Sequence, residues 1–236
     1  MKRIGIYIVI VVCILSCISS RRNLLTETRL MLVDTRATEH TAALFYNLRQ
    51  LTGKRVVYGQ HNYEMDGFDS DSTRWRDEAN RCDAYDVTGA YPALASFDFL
   101  HFTNPRSWET KELNYIQEKF HVAYNRGNVI TFCWHYYNPV TGGNFYDTTQ
   151  VVRHILPGGS YHATFKADLK IIADFAHNAK GDDGELIPII FRPWHEFDGN
   201  WFWWGKNHCS VEEFKKLYRF TAVSYTHLRA HETLAN

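Results

Sequence analysis

Charge of one sign gathers nowhere along this chain. Lys and Arg together number 26, as do Asp and Glu, and no block of either stands out. A nucleic-acid footprint needs a basic face, so no nucleic-acid partner is expected. Paired cysteines are also missing. Cys13 and Cys17 fall in the amino-terminal apolar region, which leaves Cys82, Cys133 and Cys209, an odd number without C-x-x-C spacing. That pattern argues against a disulfide framework and against a structural zinc site. No G-x-G-x-x-G follows any strand-like segment, which weighs against a dinucleotide-binding sheet. Apolar runs long enough to cross a bilayer comfortably are absent too, since "IGIYIVIVVCIL" is short of the required length.

What is present is the profile of a globular protein. The 236 residues are 45% hydrophobic and 22% charged, enough to bury a sizeable core. Aromatic residues make up 15%, with 7 Trp and 14 Tyr. Amphipathic rings of this kind line sites for sugars and other flat, half-apolar ligands, although most Phe and Tyr in any fold are core.

The amino terminus reads as an export signal rather than as part of the fold. Lys2 and Arg3 precede the apolar run, and small residues follow it. Its end, "ILSC" from Ile14 to Cys17, resembles the bacterial lipobox, in which the cysteine becomes lipidated. The expectation is a signal peptide over 1–16, a polar tether over 17–39, and an exported protein that is either a lipoprotein held to the membrane only through Cys17 or secreted.

From about residue 40 the chain alternates between helical and strand periodicity. Leu44, Phe45, Leu48 and Leu51 recur at helical spacing before Gly53, and "RVVYGQHN", Arg55 to Asn62, reads as a strand. "YPALASFDF" is a second strand, ending near Asp98. The next helix carries Leu113, Ile116, Phe120 and Ala123 on one stripe. "NVITFCWHYYNP" is a third strand, and a long Gly-rich loop leads to a helix striped by Phe165, Leu169, Ile172 and Phe175. "ELIPIIFRPWHEF" is a fourth strand, and Ser210 with Glu213 has capping-box spacing for the helix after it. Apolar strands separated by helices imply a parallel β/α sheet. Each strand ends in polar chemistry: Gln60 and His61, Asp98, His135, then His195 and Glu196. Function at the carboxyl ends of successive strands is the signature of a (β/α)8 TIM barrel, here about its first four β/α units.

The fourth strand runs into "RPWHEFDGNWFWWG". A carboxylate at an apolar strand end, beside His195 and before a row of indoles, is expected to lose water and to hold its proton toward neutral pH, which makes Glu196 a candidate general acid. Arg192 stands ready to counter its charge or to form a buried ion pair. His135 and His195 offer hydrogen bonds, and Trp201 and Trp204 offer stacking faces. His135, His195 and Glu196 also look like a ligand list, but no metal-binding spacing supports it, and neighbours on a strand point to opposite faces, so no metal is expected.

"RPWHEFDGNWFWWG" resembles the acid/base motif of glycoside hydrolase family 26, best known for endo-β-1,4-mannanases. "VVYGQHN", "PALASFDF" and "VITFCWHYYNP" are similar to that family's first three strand regions. The resemblance covers about residues 40–222. It implies a (β/α)8 barrel without cofactor, a retaining mechanism on β-mannan, Glu196 as acid/base, and His135, His195 and Trp201 as sugar contacts. A family member acting on another β-glucan or a xylan, or a carbohydrate-binding protein without catalysis, is the alternative. The resemblance also implies a second Glu, the nucleophile, at the end of a seventh strand that the four strands found here do not include. The pattern after "LYRFTA" departs from the family, so 223–236 is expected to be a non-native tail and the chain an inactive fragment.

Overall fold

The computed structural model describes residues 36–76, 81–104 and 110–231, together with 24, 27, 28, 31, 32, 34 and 78; side chains at 110–112 and 226–231 are not described. The expected signal peptide and Cys17 lie outside the described residues. The chain divides into two compact units, residues 1–56 and 57–236.

In the first unit, helix α1 (Glu39–Leu51) begins at Thr38, whose side chain accepts from the Thr41 N–H. It ends before Gly53, which takes a φ of +72° that only glycine adopts freely. The sequence reading of this helix is correct.

The second unit is built on four parallel strands: β1 (Gly59–His61), β4 (Leu94–Asp98), β5 (Val129–Cys133) and β6 (Ile189–Arg192), in that spatial order. Between β1 and β4 come a hairpin, β2 (Asp66–Phe68) with β3 (Arg74–Arg76), and helix α2 (Asp83–Thr88). Helices α3 (Leu100–Thr103) and α4 (Thr110–Asn125) link β4 to β5. Helices α5 (Val152–Ile155) and α6 (His162–Asn178) link β5 to β6, and α7 (Val211–His231) follows β6. Four β/α units were expected and four are present among the described residues.

Two departures from the sequence reading have physical reasons. The strand expected from Arg55 is only Gly59–His61, since Val56 is 95% exposed and has no core to face. The helical pattern expected to dissolve after Ala222 instead continues to His231, and the Tyr225 ring lies 5.5 Å from that of Phe191 in the sheet. The expected capping box is formed: Ser210 Oγ accepts from the Glu213 N–H at 3.2 Å, while Glu213 accepts from the Ser210 N–H at 2.9 Å.

Register explains how the sheet divides its two faces. Phe97, Phe132 and Phe191 pair laterally across β4, β5 and β6. This row packs against Phe120 of α4 and Phe175 of α6, with Phe132 5.4 Å from Phe175. One position further on, Asp98, Cys133 and Arg192 pair laterally and turn to the opposite face by strand alternation. A parallel sheet therefore delivers one polar row at its carboxyl edge directly beyond an aromatic row. Phe132 is fully buried, with its ring 4.3 Å from Phe99 and 5.3 Å from Phe97. Its replacement by Ala should cost about 3–5 kcal/mol, the usual range for an aromatic lost from a packed core, and a urea titration with an unchanged midpoint would show that this row does not hold the sheet together.

Candidate active site

The polar row opens into the loops beyond the strands. Asp98 Oδ1 accepts from the backbone N–H of Leu100 at 2.9 Å and of His135 at 3.1 Å, and Oδ2 lies 2.5 Å from His135 Nδ1. On the far side of that ring, His135 Nε2 faces His195 Nε2 at 3.1 Å. Burial pushes the Asp98 carboxyl up, but its hydrogen bond from the His135 ring and the two backbone donors prevail and hold it down at about 2. Asp98 is thus a carboxylate. It holds a proton on His135 Nδ1, and a further proton bridges the two Nε2 atoms. Burial, then the neighbouring His135, lowers His195 to about 4, so it stays neutral near pH 7.

His195 and Glu196 are not on the strand, as the sequence suggested. Strand β6 stops at Arg192, and Trp194 and Glu196 take φ of +56° and +54°. Left-handed backbone is uncommon for such residues and marks a turn held in place by its surroundings. Indoles supply the hold. Trp204 Nε1 donates to the His195 carbonyl at 2.9 Å, and Trp194 Nε1 donates to Thr221 Oγ1 of α7 at 3.1 Å. Gly199 belongs to the same turn, because a Cβ there would come within 2.4 Å of the Trp201 ring.

Each candidate can now be placed. Asp98, His135 and His195 come together as one hydrogen-bonded chain. Trp201 is 46% exposed and its Nε1 donates to Glu196 Oε2 at 2.8 Å, so the indole offers a face beside the carboxylate. Trp204 departs from expectation: it is 0% exposed, because its ring packs against Phe202 and Trp194, and so it positions the turn instead of offering a stacking face. Glu196 itself is exposed, not desolvated, since the turn carries it out past the strand end. Arg192 is also exposed and forms no ion pair among the described residues, so the buried pair is not there.

Strand alternation, one of the two grounds for expecting no metal, does not apply at His195, because the strand ends at Arg192. One ligand atom each from Cys133, His135 and His195 lie within 4.8 Å of one another, and so do those of His61, Asp98 and Cys133. Sequence reasoning missed Cys133 as a member of this site. The signal was available: Cys133 and His135 are two residues apart, and a strand-like path puts such residues on the same side.

A histidine kept neutral by the fold carries a stability signature. The unfolded chain takes up a proton near pH 6.5 that folded His195 refuses until about pH 4. The share of stability that His195 contributes should therefore be complete above pH 6.5, be lost as pH drops from there toward 4, and change no further below. In His195→Gln, the fall measured by urea unfolding at stepped pH should be shallower, and an equally steep fall would remove His195 from the account.

Known proteins resemble this chain in sequence and fold. A family model described as glycosyl hydrolase family 26 matches residues 33–236. A mannan endo-1,4-beta-mannosidase of Bifidobacterium adolescentis is 39% identical over 193 residues, which is 79% of this chain and 19% of that protein. Among solved structures, the family 26 protein GH26C from a Muricauda species is 36% identical with a TM-score of 0.79, covering 87% of this chain and 57% of its own. A GH26 beta-mannanase from Bacteroides ovatus is 35% identical with a TM-score of 0.74, covering 81% of this chain and 56% of its own. This chain therefore spans a fifth of the curated relative and a little over half of the two solved chains. Its four parallel β/α units are part of a TIM barrel, and the chain belongs to glycosyl hydrolase family 26.

Proposed function

We propose that this chain carries the acid/base half of a retaining β-1,4-mannanase, with Glu196 as the proton donor. The observation that carries the reading is the Glu196 carboxylate held by Trp201 Nε1–H, on a turn where the residue before it, His195, is hydrogen-bonded to His135. Names of the relatives support the substrate class, since the Bifidobacterium adolescentis and Bacteroides ovatus proteins are described as mannan-cleaving.

The chemistry follows from the geometry. A sugar stacked on the exposed face of Trp201 covers Glu196 and removes its water, which favours the protonated carboxylic acid. Glu196 then gives its proton to the glycosidic oxygen as the bond to the anomeric carbon breaks. A second carboxylate, about 5–5.5 Å away in retaining enzymes, takes the anomeric carbon into a covalent intermediate. In the second step Glu196, now a carboxylate, draws a proton from the attacking water. No second carboxylate touches Glu196 among the described residues, and the nucleophile is assigned to none of them. His195, kept neutral by burial, and His135 offer hydrogen bonds to the sugar.

In the catalytic domain that contains this segment, Glu196→Ala should reduce turnover of β-mannan by several orders of magnitude, because the leaving sugar needs a proton. A substrate with a good aryl leaving group should lose far less. Equal losses on the two substrates would dismiss Glu196 as the acid.

Export and anchoring belong to the same proposal. The support is the basic, apolar and small-residue order of residues 1–16 and the "ILSC" that ends in Cys17. Among the described residues, no helix is long and apolar enough to cross a membrane. Cys17→Ser should move the protein from the membrane fraction to the soluble fraction of its bacterial host, and an unchanged distribution counts against lipidation.

A further inference from the structure

We propose that Cys133, His135 and His195 form a binding site for a zinc-class divalent cation. Three observations point the same way. Their ligand atoms lie within 4.8 Å of one another. The two imidazole Nε2 atoms are already 3.1 Å apart, close to the ~3.3 Å that separates two nitrogens bound at ~2.0–2.1 Å to one tetrahedral zinc. His135 also donates its other ring N–H to Asp98, the carboxylate–histidine arrangement that orients metal-binding imidazoles and raises their basicity.

The protons balance. Without metal, one proton sits between the two rings at the Nε2–Nε2 contact. His195 Nδ1 is buried and has no hydrogen-bond partner, so no other group already occupies it. Moving the proton to Nδ1 frees the Nε2 lone pair, and both Nε2 atoms then face the cation. Cys133 Sγ lies 4.0 Å from His135 Nδ1, beside the ring and not at its Nε2, and burial pushes its thiol up, so the cation must displace that proton to solvent to bind the thiolate. Two imidazoles and a thiolate leave a fourth position open, as in metal sites that keep a water. Under the function proposed above, the cation and a sugar would compete for the same two histidines; the binding itself does not depend on that reading.

Cobalt(II) makes the site visible, because a thiolate ligand gives an intense near-ultraviolet charge-transfer band. The full 236-residue chain titrated with Co²⁺ should develop this band up to one equivalent, and Zn²⁺ should abolish it by displacement. Cys133→Ser should lose the band and Cys209→Ser should keep it. Asp98→Asn should keep the band but bind about 10–100-fold more weakly, the usual cost of removing the partner of a metal-bound histidine. No band in the unsubstituted chain, a band that survives in Cys133→Ser, a band lost in Cys209→Ser, or unchanged affinity in Asp98→Asn would each overturn the proposal.

Discussion

The Asp98 carboxylate accepts three hydrogen bonds, from the backbone of Leu100, the backbone of His135 and the His135 ring. Those bonds tie the loop after β4 to the loop after β5 and fix the orientation and tautomer of one imidazole. That imidazole is hydrogen-bonded to the next, His195, which sits one residue before the candidate acid. A buried carboxylate without such donors would be protonated or expelled. Here the donors hold it ionised, and the rest of the site inherits its geometry from that charge. The sheet makes this possible because parallel register brings Asp98 and Cys133 side by side at the same level. The strands stop together, so their loops begin together.

Around this chain the indoles divide into two groups by what their N–H groups find. Trp134 donates to Thr103, Trp194 to Thr221, Trp203 to the Tyr136 carbonyl and Trp204 to the His195 carbonyl. All four are buried, and each satisfies its one polar atom internally, as a buried indole must. Trp201 alone among these five is half exposed, and its partner is Glu196. The first four are the stiff backing of the site. The fifth is on its surface.

Much of this was legible in the sequence, and the failures follow a pattern. Helix stripes such as Phe165, Leu169, Ile172 and Phe175 were correct because 3.6-residue periodicity reports burial directly, and all four are buried. The carboxyl-end placement of Asp98, His135 and His195 followed from strand order alone. What periodicity cannot show is where a strand yields to a turn. The "RPWHEF" segment was taken as strand, and from that error came the expected desolvation of Glu196, one of the two grounds for expecting no metal at His195, and the buried ion pair offered as one role for Arg192. Trp204 was misplaced for a related reason. Composition shows that an indole is near a site, but only packing shows whether its face or its N–H is turned toward it.

Positive φ at both Trp194 and Glu196 shows what that turn has to overcome. Each such residue costs of order 1 kcal/mol or more in backbone energy, and it persists only where its surroundings over-determine it. Trp194 is pinned to α7 through Thr221, whose hydroxyl also donates to the Leu217 carbonyl, and the His195 carbonyl is pinned by Trp204. The helix after the strand therefore does more than cover the sheet. Its buried Thr221 holds the indole two residues before Glu196, so the packing of α7 and the direction of the candidate acid are set by one hydrogen bond. A site built this way separates its requirements: buried indoles and a buried carboxylate fix the frame, while the acid itself stays in water until a ligand covers it.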